Sequence, residues 1–138
     1  MKDVAYLALG SNLGQREVFL ALARDEIARL KRTRVLGETE VEETAPLGAV
    51  PQGPYLNQMI AIETELSPRE LLGEIHRIEA KAGRVRTERW GPRTLDIDIV
   101  LFERQSANDA DLTVPHPELP NRSFWLTELA VLRGASVE

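Results

Sequence analysis

Apolar positions recur along the chain with two different periods, and their alternation predicts the fold. Val4 to Leu9 is a short continuous apolar run that reads as a buried strand, ended by a turn at Gly10-Ser11-Asn12. Phe19, Leu22, Ala23, Ile27 and Leu30 then fall at helical spacing, so a helix over about 12–31 presents one apolar stripe. Positions 33–43 alternate loosely around Val35, Thr39 and Val41 and predict a second strand. The third, over 55–65, is clearer: Leu56, Gln58, Ile60 and Ile62 share one side, and Asn57, Met59 and Ala61 the other.

Ser67-Pro68-Arg69-Glu70 has the makings of a helix start, with Ser as N-cap, Pro at the first helical position and Glu placed to close a capping box. That helix continues through Leu71, Leu72, Ile75, Ile78 and Ala82 to Gly83, which can take the left-handed conformation that ends a helix. A fourth strand is predicted over 94–102 and a last helix over 123–132. The order βαββαβ plus a helix predicts an α+β, ferredoxin-like core: a four-stranded antiparallel sheet with two helices on one face and a further C-terminal helix.

Length sets the scale of the assembly. A chain of 138 residues with 43% hydrophobic and 28% charged residues suits one domain over 1–138 rather than a disordered or fibrous protein. There is no cysteine, hence no disulfide framework and no thiolate metal site. The apolar run near the N-terminus is too short and too interrupted for a secretion signal or a membrane span, so a cytoplasmic protein without a membrane partner is expected. A net charge of −5 argues against nucleic acid as partner. The positive charge is nonetheless clustered, with Arg84, Arg86, Arg89 and Arg93 inside one Gly/Pro-containing connection. Guanidinium groups suit bidentate contact with phosphate, so an acidic protein with a local cationic loop points to a small anionic ligand. The connections 44–54 and 84–93 are both longer than a compact domain needs, as binding loops often are.

Strand alternation places Asp96 and Asp98 on one face and Leu95, Ile97 and Ile99 on the other. Two neighbouring carboxylates that stay ionised require a cation, and hard oxygen ligands favour Mg²⁺ shared with substrate phosphates. An isolated Asp-x-Asp is more often a solvated edge-strand face; the arginines beside it move the balance toward a metal and phosphate site. Trp90 is read as lid packing or a stacking surface, Trp125 as core, and His116, between two prolines, as a structural hydrogen-bonding or phosphate-contacting group. Tyr55 packs at a strand end, and the amide of Asn57, on the same face, complements a heterocycle. Gly10 to Gly14 matches neither a dinucleotide fingerprint nor a Walker A loop. Two rivals stay in view: a nucleotide-sugar transferase using Asp-x-Asp with Mn²⁺, and a ferredoxin-like ligand-binding module without catalysis.

Taken together, YLALGSNLG from Tyr6, TAPLG from Thr44, YLN from Tyr55, GRVRTERWGPRTLDIDIVLF from Gly83 and LTVPHPELPNRSF from Leu112 resemble the 6-hydroxymethyl-7,8-dihydropterin pyrophosphokinase family of folate biosynthesis, in order and over nearly the whole chain. The resemblance implies transfer of the β,γ-pyrophosphoryl unit of ATP to the pterin hydroxymethyl oxygen, with release of AMP. It also implies two Mg²⁺ ions on Asp96 and Asp98, one bridging the α- and β-phosphates and one the β- and γ-phosphates. Arg84 and Arg93 would grip the triphosphate, and Arg86, Trp90, Ile99, Thr113, His116 and Arg122 would complete the ATP site. Tyr55 and Phe124 would sandwich the pterin, Asn57 and the backbone of Thr44, Ala45 and Leu47 would bind its polar edge, and Trp90 and Asp96 would adjoin it. Glu79 would support the site from the second helix. The small-molecule substrates imply no need for a protein partner, and a monomer is expected. His76 stands where some members carry Gln, and Pro117 where some carry Tyr.

Overall fold

The computed structural model describes residues 2–12, 14–45, 53–83 and 95–137. Its main sheet is built from β1 (Asp3–Ser11), β2 (Thr33–Glu38), β3 (Glu42–Thr44), β4 (Tyr55–Thr64) and β5 (Asp96–Phe102), in the order β2-β4-β1-β5, with β3 also paired to β4. Every pairing is antiparallel. Three helices accompany it, α1 (Arg16–Ala28), α2 (Pro68–Lys81) and α3 (Ser123–Val137), and a small hairpin of β6 (Ala107–Asp109) and β7 (Leu112–Val114) forms a sheet of its own.

The sheet thus has five strands where the sequence pattern predicts four, because the predicted second strand is broken. Its ladder with β4 runs to Glu38 opposite Ile60 and resumes at Glu42 opposite Asn57, so the edge carries one residue more than β4 over this stretch. Thr39 makes the break. Its amide still donates to the Met59 carbonyl at 2.9 Å, but the Met59 amide donates to the Thr39 hydroxyl at 2.9 Å rather than to a backbone oxygen. Thr39's own carbonyl takes a 2.7 Å hydrogen bond from the buried Gln58 amide, whose oxygen accepts from Arg24 at 2.9 Å. The extra residue is a bulge, with the Thr39 amide, carbonyl and hydroxyl all hydrogen-bonded.

The sheet is covered on both faces. Leu7, Leu9, Ile60, Ile62, Ile97 and Ile99 pack against Leu20 and Ile27 of α1 and Leu71, Ile75 and Ile78 of α2. On the other face Tyr6, Ala8, Met59, Ala61 and Val100 pack against Trp125, Leu129 and Leu132 of α3. Helix α2 begins on the predicted capping box: the Glu70 amide donates to Ser67 Oγ at 3.1 Å, and the Ser67 amide to Glu70 Oε1 at 2.9 Å. Beyond its end Gly83 sits at φ +71°, where only glycine is unstrained.

Candidate functional site

One end of the α3-side face is left open, and three rows of side chains across β4, β1 and β5 show how. The first row is Ala61, Tyr6 and Leu101; the second is Met59, Ala8 and Asp98; the third is Asn57, Gly10 and Asp96. Apolar groups give way to polar ones as the rows leave α3 behind. A cleft of about 550 Å³ lies over the last two rows, lined by Ala8, Gly10, Asn57, Asp96 and Asp98 together with Thr44, Ala45 and Tyr55. Ile99, Thr113, His116, Arg122 and Phe124 line it as well.

Gly10 was expected to end β1 in a turn, yet it lies within the strand, hydrogen-bonded into the ladder between Asn57 and Asp96. What the position demands is the absence of a side chain. A Cβ there would stand 3.3 Å from the Tyr55 ring and 3.5 Å from the Asn57 amide oxygen. Glycine therefore lets the Tyr55 ring lie close above the sheet at the cleft floor. Asn57 is fixed by donating from Nδ2 to the Thr44 hydroxyl, a contact between β4 and β3 that sequence spacing alone does not reveal.

Glu79, buried in α2 at 4% exposure, accepts a 2.9 Å hydrogen bond from the Ile97 amide. β5 is an edge strand in the sheet order, so a carboxylate from the helix caps a backbone donor between the two aspartates and fixes the stretch that carries them. Asp98 Oδ1 lies 3.7 Å from His116 Nε2. The other ring nitrogen, Nδ1, accepts a 3.0 Å hydrogen bond from the Glu118 amide, so a neutral His116 carries its proton on Nε2, facing Asp98. The imidazole is further held edge-on against Trp125, with centroids 4.9 Å apart and planes at 86°.

Arg122 stacks on the same indole, its guanidinium carbon 4.3 Å from the centre of the Trp125 ring. Its Nε is buried without a hydrogen-bond partner among the described residues. Trp125, expected as core, is both core and cleft wall.

Of the residues expected at the site, Thr44, Ala45, Tyr55, Asn57, Asp96, Asp98, Ile99, Thr113, His116, Arg122 and Phe124 thus line a single cleft. Leu47, Arg84, Arg86, Trp90 and Arg93 lie outside the described residues. Leu72, Asp111 and Glu118 also line the cleft and were not expected there; they come from α2 and from short turns whose placement has no periodic signal.

Two carboxylates are the acidic groups the cleft floor offers a cation, and no cluster of three or more His, Cys, Asp or Glu occurs among the described residues. That donor set does not suit a metal enclosed by protein ligands. It suits a hard ion such as Mg²⁺, which fills its remaining positions with water and ligand oxygens.

Comparison with known proteins adds a second, independent line. The family described as 7,8-dihydro-6-hydroxymethylpterin-pyrophosphokinase (HPPK) matches residues 6–134. A 2-amino-4-hydroxy-6-hydroxymethyldihydropteridine pyrophosphokinase of Bacillus subtilis (strain 168) is 44% identical over 133 residues, covering 94% of this chain and 78% of the relative. Proteins of the same name are 43% identical over 125 residues in Haemophilus influenzae, with 91% and 78% covered, and 42% identical over 126 residues in Methylorubrum extorquens, with 91% and 80% covered.

Proposed function

The chain belongs to the 7,8-dihydro-6-hydroxymethylpterin-pyrophosphokinase family, and from that premise we propose how its cleft carries out the reaction. The activity is transfer of pyrophosphate from ATP to 6-hydroxymethyl-7,8-dihydropterin, giving the pterin diphosphate and AMP, a step of folate biosynthesis. One observation supports the residue assignment: Asp96 and Asp98 line a single cleft together with Tyr55, Asn57 and Phe124, which suit a flat heterocycle, and with His116 and Arg122, which suit phosphate oxygens.

Asp96 and Asp98 would hold the cations, two Mg²⁺ ions in our reading. When bound, these would spread the charge that develops on the phosphates and lower the pKa of the pterin hydroxyl, so no strong base is needed. The chain's own groups do the rest. Tyr55 and Phe124 clasp the flat pterin, and Asn57, its Nδ2 committed to Thr44, turns its oxygen to the ring's N–H groups, with the backbone of Thr44, Ala45 and Leu47 alongside. Arg122 offers its unpaired Nε, and His116 its Nε2 proton, to phosphate oxygens. Ile99 and Thr113 border the nucleotide. Arg84, Arg86, Trp90 and Arg93, outside the described residues, complete the ATP site on the strength of their motif. Glu79 is a positioning group for the β5 segment.

The finer fold assignment belongs to the same proposal. The strand order β2-β4-β1-β5 with α1 and α2 on one face supports a ferredoxin-like core, to which β3, the β6–β7 hairpin and α3 are additions. We read residues 1–138 as one catalytic domain, acting as a cytoplasmic monomer on small molecules, with no nucleic-acid or membrane partner; among the described residues no helix is long and apolar enough to cross a membrane.

The test is product analysis. Incubation with ATP, Mg²⁺ and the hydroxymethyl dihydropterin yields AMP and pterin diphosphate, and removal of Mg²⁺ stops the reaction. ADP as the nucleotide product, or full turnover in Asp96→Ala or Asp98→Ala, would overturn the reading.

A further inference from the structure

The β6–β7 hairpin supplies a wall of the cleft through Ala110, Asp111, Leu112 and Thr113, yet it is made of two strands of only three residues each. A hairpin of that length is a weak structure by its own ladder. Leu112 and Val114 anchor its second strand in the core, at 6% and 2% exposure. The turn itself has a different anchor. Arg69, in the first turn of α2, donates from Nη1 to Asp111 Oδ2 at 2.8 Å, and from Nη2 to Asp111 Oδ1 at 3.0 Å and to Asp109 Oδ2 at 2.9 Å. One planar fork grips both sides of the turn, since Asp109 ends β6 and Asp111 precedes β7.

The mechanism has no use for Arg69, which does not itself line the cleft. Stability is a poor reason for the contact as well: Arg69, Asp109 and Asp111 have side chains 52%, 59% and 65% exposed, where ion pairs contribute little. What the fork does provide is order in the cleft wall before a ligand arrives. The hydrogen bond from Arg69 also holds the Asp111 carboxyl below the usual carboxylate range, so the grip extends to lower pH than an isolated carboxylate would allow.

We propose that Arg69 is a positioning residue for the nucleotide, holding the β6–β7 turn so that Asp111, Leu112 and Thr113 stand as a formed wall for ATP. The inference rests on the reading above that this end of the cleft takes the nucleotide. Loosening the turn leaves the pterin-binding groups, on β3, β4 and the start of α3, untouched. Affinity falls in proportion to the fraction of molecules that hold the competent wall, so a turn formed about a fifth of the time weakens ATP binding about fivefold.

The experiment measures KM for ATP and for the pterin, kcat, and calorimetric binding of α,β-methylene-ATP, in the parent chain and in Arg69→Ala, Arg69→Lys, Asp109→Asn and the Ala/Asn double variant. The expected result for Arg69→Ala is an ATP KM and an analogue Kd about fivefold higher, with kcat and the pterin KM within about twofold. Asp109→Asn, whose side chain does not line the cleft, shifts the same two constants in the same direction by less, and keeps the test intact should Arg69→Ala fold poorly. The double variant is no weaker than Arg69→Ala, because both act through one contact. Lysine, with the charge but not the fork, recovers part of the loss. Unchanged ATP constants in Arg69→Ala and Asp109→Asn, or a loss in kcat or pterin KM instead, would overturn the inference while leaving the enzyme assignment intact. A parent chain that neither binds the analogue nor forms AMP would overturn the assignment itself.

Discussion

Two ends of the same sheet face, built from the same three strands, have opposite characters. Where Tyr6, Ala61 and Leu101 share a row, Leu129 and Leu132 of α3 help to cover the face and it is core. Two rows further along the same strands, Asn57, Gly10 and Asp96 share a row that faces the cleft. Strand propensity does not distinguish these ends. The start of α3 does: Phe124 and Trp125 in its first turn sit at the border, and Trp125 serves both sides as core and as wall. Carboxylates under the helix would need partners at heavy desolvation cost, whereas beyond its first turn they border the cleft. A functional site here is the part of a core face that a helix stops short of covering.

Substitutions at the two ends should therefore fail in different ways. The largest effect is expected at the open end, where Asp96→Ala or Asp98→Ala lowers AMP formation by about a hundred- to a thousandfold or more while thermal stability is retained; rapid-quench product assays beside thermal melts check both halves. At the covered end Leu129→Ala does the converse. Truncating this buried side chain costs about 2–4 kcal/mol in denaturant unfolding, with kcat of the folded fraction near normal. Gly10→Ala lies between. Its Cβ pushes on the Tyr55 ring, and the pterin KM rises roughly tenfold with the ATP KM unchanged, a cost in line with a small misplacement of a binding group.

The smallest effect concerns Glu128, buried in α3 and accepting a 3.1 Å hydrogen bond from Thr39. Burial pushes its carboxyl up to about 7, with Glu42 adding to the shift and the Thr39 hydrogen bond opposing it. In the unfolded chain the group titrates in the ordinary carboxylate range, so between that range and about pH 7 the native state holds a proton that the unfolded state has lost. Its contribution to stability is complete below the ordinary range and fades as pH rises through about 7. Glu128→Gln removes this dependence: Tm at pH 8 is a few degrees above that of the parent chain, and the difference narrows steadily toward pH 5. An equal offset at both pH values would show that Glu128 is not the group that titrates.

The covered end was only half legible in the sequence. Period-two alternation gave the strands of β4 and β5, and the capping box at Ser67 and Glu70 gave the start of α2, because these signals are local. The break at Thr39 was hidden, since a hydroxyl standing in for a backbone oxygen leaves the apolar pattern unchanged. The side on which α3 packs was hidden too: it is apolar on more than one face, with Leu126 and Val131 exposed at 47% and 58%, so no single stripe marks the buried one. At the open end the aspartates, Tyr55 and Asn57 could be read from alternation and from their neighbours. Gly10 was misread as a turn, because glycine marks close approach as readily as chain reversal, and only the Tyr55 ring above it tells the two apart. The Arg69 fork joins residues about forty positions apart through side chains alone, and nothing periodic announces it.

Asp96 and Asp98, in successive rows at the open end, are in our proposal where the protein meets the metal ions of Mg²⁺-ATP. The most direct test is a crystal structure with Mn²⁺ in place of Mg²⁺, α,β-methylene-ATP and the pterin, read from the anomalous signal of the metal. The account predicts manganese in direct contact with carboxylate oxygens of both Asp96 and Asp98 and with phosphate oxygens. Manganese bound to the nucleotide with both carboxylates turned away, or nucleotide seated outside the cleft, would contradict it.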